Sequence, residues 1–202
     1  MYSLISGIKD YINTPAFVDL YSPARVWLEN HGINLDDNYD ISKISDSIFI
    51  SNISTTTNRL LLKSLGITHI LSVVSSMTPL YPDDFTYKHV VAYDNSEFQL
   101  APEFTNCARY IQSVISGGGK ILVHCVKGAS RSVSIVMAYL IYINYNNMAV
   151  LELLKTIQTV RPIAHPNLGF MNQLCKYDTT INGRQYVTCI TNYWIYLFID
   201  CI

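Results

Sequence analysis

The chain has 202 residues, half of them apolar and 14% charged, which suits one domain with a sizeable core plus terminal extensions and excludes global disorder. A net charge of −1 offers no basic footprint for nucleic acid, so any recognition of phosphate has to be local. The cysteines at 107, 125, 175, 189 and 201 are odd in number and irregularly spaced, with no metal-ligand pairing of the Cys-x-x-Cys kind.

Residues 1–43 read as an N-terminal extension with one helix start. Ser22-Pro23 supplies a cap and a first-turn proline, Arg25, Val26, Trp27 and Leu28 follow, and His31-Gly32 ends it. No basic leader precedes a long apolar run, so a secretion signal is not expected and the compartment reads as cytoplasmic and reducing. The abundant Ile, Asn and Tyr suit an AT-rich coding genome, such as that of a large DNA virus or a protist. Asp36, Asp37 and Asp40 read as a solvated acidic loop. Residues 44–53 alternate apolar and polar, predicting an edge strand, and 55–65 predict a short helix closed by Gly66. Residues 67–74 are continuously apolar and β-branched, as in a parallel strand covered on both faces, with His69 a core histidine. Residues 87–91 predict the next strand.

That strand leads into Tyr93-Asp94-Asn95-Ser96-Glu97-Phe98, a polar loop at a place where open α/β folds carry functional groups. Its carboxylates, Asp94 and Glu97, are candidate proton donors. Ala101-Pro102-Glu103 opens a helix whose apolar positions Phe104, Cys107, Ala108, Ile111, Val114 and Ile115 keep the helical period, until the glycines at 117–119 stop it. Cys107 and Cys175 fall on apolar helical faces and read as small core residues.

The stretch Ile121-Leu-Val-His124-Cys125-Val-Lys127-Gly128-Ala-Ser130-Arg131-Ser132 is a strand, a small-residue loop and the start of the apolar helix 133–143. Consecutive loop amides at a helix N-terminus form a nest for an anion of phosphate size. The same field lowers a thiol pKa, so Cys125 reads as a thiolate nucleophile. Arg131 brings a fork that can hold two phosphate oxygens, and Ser132 can donate to the sulfur and make it a better leaving group. Further helices are predicted over 148–160, ended by Arg161-Pro162, and after Asn167, which caps the last one. The tail from Tyr186 to Ile202 is apolar and aromatic and sits at the short limit for a membrane span. Folding back or self-association is the expected use of residues 179–202, with weak membrane contact the lesser one. The alternation of strands and helices predicts an α/β fold, a mostly parallel sheet flanked by helices on both faces, over residues 44–178.

The string His124 to Ser132 resembles the signature loop of cysteine-dependent protein phosphatases, of the small atypical dual-specificity type. The resemblance runs from Ile44 to Tyr177 through Gly66-Ile-Thr-His-Ile-Leu71, Asp94-Asn-Ser-Glu-Phe98, Ala138-Tyr-Leu140, Arg161-Pro162, Pro166-Asn-Leu-Gly-Phe170 and Gln173-Leu174. It implies that Asp94 rather than Glu97 is the acid, that the amides of Val126, Lys127, Gly128, Ala129, Ser130 and Arg131 bind the phosphoryl oxygens, and that His124 and Asn167 brace the site. Plain helix capping is an equal reading of Asn167. In the resembled family a helix before the first strand shapes substrate choice, which Arg25 and Trp27 could do here, although simple packing explains them. The implied reaction is hydrolysis of phosphotyrosine and phosphoserine or phosphothreonine in proteins through a cysteinyl-phosphate, with no metal or other cofactor. No insertion resembling a deep phosphotyrosine-recognition loop separates the acid loop from the signature loop, which implies a shallow pocket. Ser130 stands where inositol-lipid phosphatases carry a basic residue. Lys127 reads as solvated, the other reading being attraction of acidic or doubly phosphorylated substrates. The alternatives are a non-catalytic phospho-binding module, a binding role dominated by the extensions, or action on lipid or RNA phosphates.

Overall fold

The structure, a computed structural model, describes residues 39–186. The expected helix after Ser22, with Arg25 and Trp27, the residues Asp36 and Asp37, and the tail beyond Tyr186 lie outside the described residues.

Five strands form one sheet: β1 (Ile41–Lys43), β2 (Ile48–Ser51), β3 (His69–Val74), β4 (Thr86–Val91) and β5 (Ile121–His124), in the spatial order β1-β2-β5-β3-β4. Only the β1–β2 pair is antiparallel. The helices are α1 (Arg59–Ser64), α2 (Phe104–Ser116), α3 (Arg131–Tyr142), α4 (Val150–Val160) and α5 (Leu168–Asn182), with 3₁₀ turns at Ser54–Thr57, Ala101–Glu103 and Tyr145–Asn147.

Two apolar clusters, one on each face of the sheet, explain why the inner strands read as unbroken apolar runs. Ile48, Ile50, Leu71, Val73, Ile121 and Val123 join the large cluster with α2, α3, α4 and α5. Phe49, Ile70 and Leu122 alternate to the other face and meet Leu62 of α1, Ile67 and Phe85. The same alternation sends His124 to the α1 side and leaves Cys125 at the end of β5 on the α3 side. In α3 every residue from Arg131 to Ile141 is buried. Its Val and Ile residues cost less than about 0.7 kcal/mol each in helix propensity, against roughly 1.5–3 kcal/mol gained per buried side chain, so burial decides. Cys107 is buried in the large cluster, which pushes its thiol up to about 12 and bears out its reading as a core residue. No described helix is long and apolar enough to cross a membrane.

Three expectations are corrected. The strand within 44–53 is not an edge: β2 lies between β1 and β5, and the edges are β1 and β4. β1 begins at Ile41 and α5 ends at Asn182, on either side of the 44–178 boundaries. The helix predicted over 55–65 is a 3₁₀ turn followed by α1, broken at Asn58, whose side chain accepts from the Leu61 amide at 2.9 Å. Asp40 is not simply solvated: its carboxylate pairs with both Nη atoms of Arg161, at 2.9 and 2.7 Å.

Candidate active site

β5 delivers Cys125 to the floor of the loop, fully buried, and α3 begins six residues later. Two donors face its sulfur, the Gly128 amide at 3.2 Å and the Ser132 hydroxyl at 3.3 Å, and a thiolate accepts both better than a thiol does. Gly128 has a φ of +69°, and a Cβ there would lie 2.5 Å from the Ser51 carbonyl oxygen. Only glycine lets the loop turn this tightly over β2.

Three neighbouring segments hold the loop from outside. The Ile53 amide donates to the Val126 carbonyl at 3.1 Å, and the His165 amide to the Ala129 carbonyl at 2.7 Å. Arg161 donates from Nε to the Gly128 carbonyl at 2.6 Å and from Nη2 to the Lys127 carbonyl at 3.4 Å. Every one of these bonds engages a backbone carbonyl of the loop. Arg161 is buried, its charge balanced by Asp40 and its Nη1 also bonded to the Ser42 hydroxyl at 3.1 Å. Neither Asp40 nor Arg161 was assigned a part in the site from sequence, although Arg161-Pro162 lies within the resemblance.

Arg131 is buried at the first turn of α3, with Nη1 on the Ala92 carbonyl at 3.2 Å and Nε 3.5 Å from the Asp94 carboxylate. Asp94 itself is tied to the loop. Its Oδ1 accepts from the Ser130 hydroxyl at 2.7 Å and from Nδ2 of Asn167 at 3.0 Å. Ser130 therefore does not cap α3 with its side chain; it reaches sideways to Asp94. Asn167 also caps α5, its Oδ1 accepting from the Phe170 amide at 3.0 Å. Glu97 is exposed, and its amide closes a turn on Asn95 Oδ1 at 3.1 Å.

The loop that carries Asp94 is itself clamped by α5. Gln173 accepts from the Leu100 and Ala101 amides at 2.7 and 2.8 Å and donates to the Phe98 carbonyl at 2.9 Å. A Cβ at Gly169 would collide with the Ser96 carbonyl group, so α5 and this loop touch backbone to backbone. His124 lies beneath the site, its Nε2 bonded with the Ser72 hydroxyl at 2.7 Å. Burial drives its pKa down to about 4, so it is neutral at pH 7. Lys127 is exposed.

Residues 48–180 match the family described as the dual specificity phosphatase catalytic domain. The chain is 39% identical over 150 residues to dual specificity protein phosphatase 1B of Arabidopsis thaliana, spanning 74% of this chain and 89% of that protein. It is 40% identical over 139 residues to dual specificity protein phosphatase 1 of the same plant, spanning 69% of each. The solved structure of DUSP15 superposes with a TM-score of 0.65 at 29% identity, over 73% of this chain and 98% of that one. A loop that aims donors at one buried sulfur, in a domain this similar to those relatives over most of its length, gives one conclusion: the chain belongs to the cysteine-dependent dual specificity protein phosphatases, whose reaction passes through a cysteinyl-phosphate.

Proposed function

We propose that the chain removes phosphate from phosphotyrosine and from phosphoserine or phosphothreonine in proteins, with Cys125 as nucleophile and Asp94 as acid and base. The Cys125 thiolate attacks phosphorus as the bond to the ester oxygen breaks, and Asp94 gives its proton to the departing oxygen. Arg131 and the amides of Val126 to Arg131 take up charge on the three equatorial oxygens, the positive field of a helix N-terminus doing what a metal ion does elsewhere. Water, deprotonated by the Asp94 carboxylate, then attacks the cysteinyl-phosphate. The sulfur leaves as a thiolate stabilised by the Ser132 hydroxyl and the Gly128 amide, and phosphate is released. Ser130 and Asn167 are positioning residues that hold Asp94 beside the loop, and His124 is a neutral brace under it.

The observation that carries this reading is that an acid more than thirty residues away in sequence is held by a hydrogen bond to the loop whose sulfur faces two donors. The test is phosphate release from a Thr-x-Tyr peptide phosphorylated on both residues, without added metal. Release from both positions by the wild type and none by Cys125→Ser is the expected outcome. A wild type that releases nothing would favour a binding role, or lipid or RNA phosphates. We place the activity in the cytosol and assign residues 187–202 to self-association ahead of membrane contact. A solution mass that stays the same when residues 187–202 are removed would count against self-association through that part of the tail.

A further inference from the structure

We propose that this chain selects phosphoprotein sites in which bulky apolar residues flank a single phosphorylated side chain, bound by a rim of Ile53, Tyr93, Val126 and Ile163 around the phosphate-binding loop. This rests on the phosphatase reading above and adds the class of sequence that the site accepts.

Val126 in the loop, and Ile53, Tyr93 and Ile163 in segments that bond the loop or receive Arg131, are large apolar side chains exposed to solvent. Ile53 is 41% exposed and its own amide bonds the loop at Val126, which is 46% exposed. Ile163 is 51% exposed, two residues before His165, whose amide bonds Ala129. Tyr93, 54% exposed, lies between Ala92, which receives Arg131, and Asp94, and its ring meets Phe98 edge-to-face with centroids 5.8 Å apart. Among the described residues nine large apolar side chains are exposed to this degree, and four of them sit round this one loop. A concentration of apolar surface continuous with a binding site marks a contact surface, and the occupant of the central site fixes what covers it: the residues on either side of the phosphorylated one.

Charge points the same way. Arg161, which lies against the loop, is 1% exposed and spent on Asp40, Ser42 and the Gly128 carbonyl, so it cannot meet a second phosphate. Arg131 is buried and directed at the loop and Asp94. Lys127 is exposed and, among the described residues, makes no ion pair. A lone lysine is a point charge without the planar fork that grips a phosphate, and the exposed Glu97 near Asp94 opposes acidic flanks.

The experiment compares kcat/KM of the full-length wild type on three phosphopeptides of equal length. One has phosphotyrosine between Leu, Ile and Val residues, one has it between Asp and Glu residues, and one carries phosphothreonine and phosphotyrosine two apart. p-Nitrophenyl phosphate, which has no flanks, is the fourth substrate. The apolar peptide is expected to exceed the other two by about tenfold, equal to about 1.4 kcal/mol, and the ratio is expected to approach one in Ile53→Lys/Ile163→Lys. Equal rates on the peptides, or preference for the acidic or doubly phosphorylated one, overturn the rim while leaving the phosphatase reading intact. Failure to hydrolyse p-nitrophenyl phosphate as well as the peptides overturns that reading and the rim with it. Should the double variant not fold, the wild-type ratio alone decides.

Discussion

A nitrophenolate leaves phosphorus with little help, whereas the alkoxide of serine or threonine has to be protonated as its bond breaks, so the two leaving groups weigh Asp94 differently. Asp94→Asn should therefore lower kcat about 10²-fold or more on a phosphothreonine peptide, within the range for a positioned acid, and much less on p-nitrophenyl phosphate. Ser130→Ala removes the 2.7 Å hydrogen bond that fixes Asp94. It should show the same leaving-group dependence at a smaller scale, about tenfold on the peptide for a hydrogen bond to a charged group. An equal loss on both substrates would mean that Ser130 supports the loop and not the acid. The setting of Cys125, Arg131 and Ser132 was legible in the sequence because it needs only a strand, a loop and a helix start in succession. The part of Ser130 was not, because its partner lies in another loop and every member of the signature loop has the same local setting.

At the scale of elements, the acid loop and α5 meet through a residue with no side chain. Gly169 stands in the first turn of α5, where glycine is a weak helix former, yet a Cβ there would drive into the Ser96 carbonyl group. Gly169→Ala should push the loop and Asp94 away from Ser130. It should reduce turnover of a phosphothreonine peptide about tenfold or more, as expected when an acid is moved out of place, while kcat on p-nitrophenyl phosphate falls far less. Unchanged peptide turnover in a folded variant would show that the loop can yield without moving its acid. The resemblance carried Gly169 and Gln173 without assigning them any work, because clamping is a property of two elements meeting. The same holds for Asp40, one of three nearby aspartates in the sequence, whose partner Arg161 follows 121 residues later. β1 was missed for a related reason: three residues of strand are too few to show a period, and the pairing with β2 creates it.

For the molecule as a whole, the succession of short apolar strand runs and longer helical patterns revealed the α/β architecture. The ends were harder to read, because a boundary depends on what the last residues touch. Asp178 is fully buried near the end of α5, and its carboxylate accepts from Asn182 Nδ2 at 2.6 Å, Arg184 Nη1 at 2.8 Å and the Tyr186 hydroxyl. Tyr186 also accepts from the Val150 amide at 3.3 Å, and Arg184 reaches Asn144 Oδ1 and Asn147 Oδ1 at 2.9 and 2.6 Å, in a turn where both asparagines have positive φ. Residues 179–186 thus fasten α5 to α4 and to the turn before it. A chain ending at 186 keeps this network, whereas one ending at 178 loses all three partners of the carboxylate and the last turn of the helix. The longer chain should melt with the full-length protein. The shorter should lose about 3 kcal/mol, the scale for orphaning a buried charge, or roughly 6–12 °C in a domain of this size. Arg184→Ala in the full chain should reproduce a large part of that shift, because it removes the charge partner and leaves Asp178 buried. Coincident melting of both truncations would place the end of the folded domain at 178 and reduce the network to a surface contact.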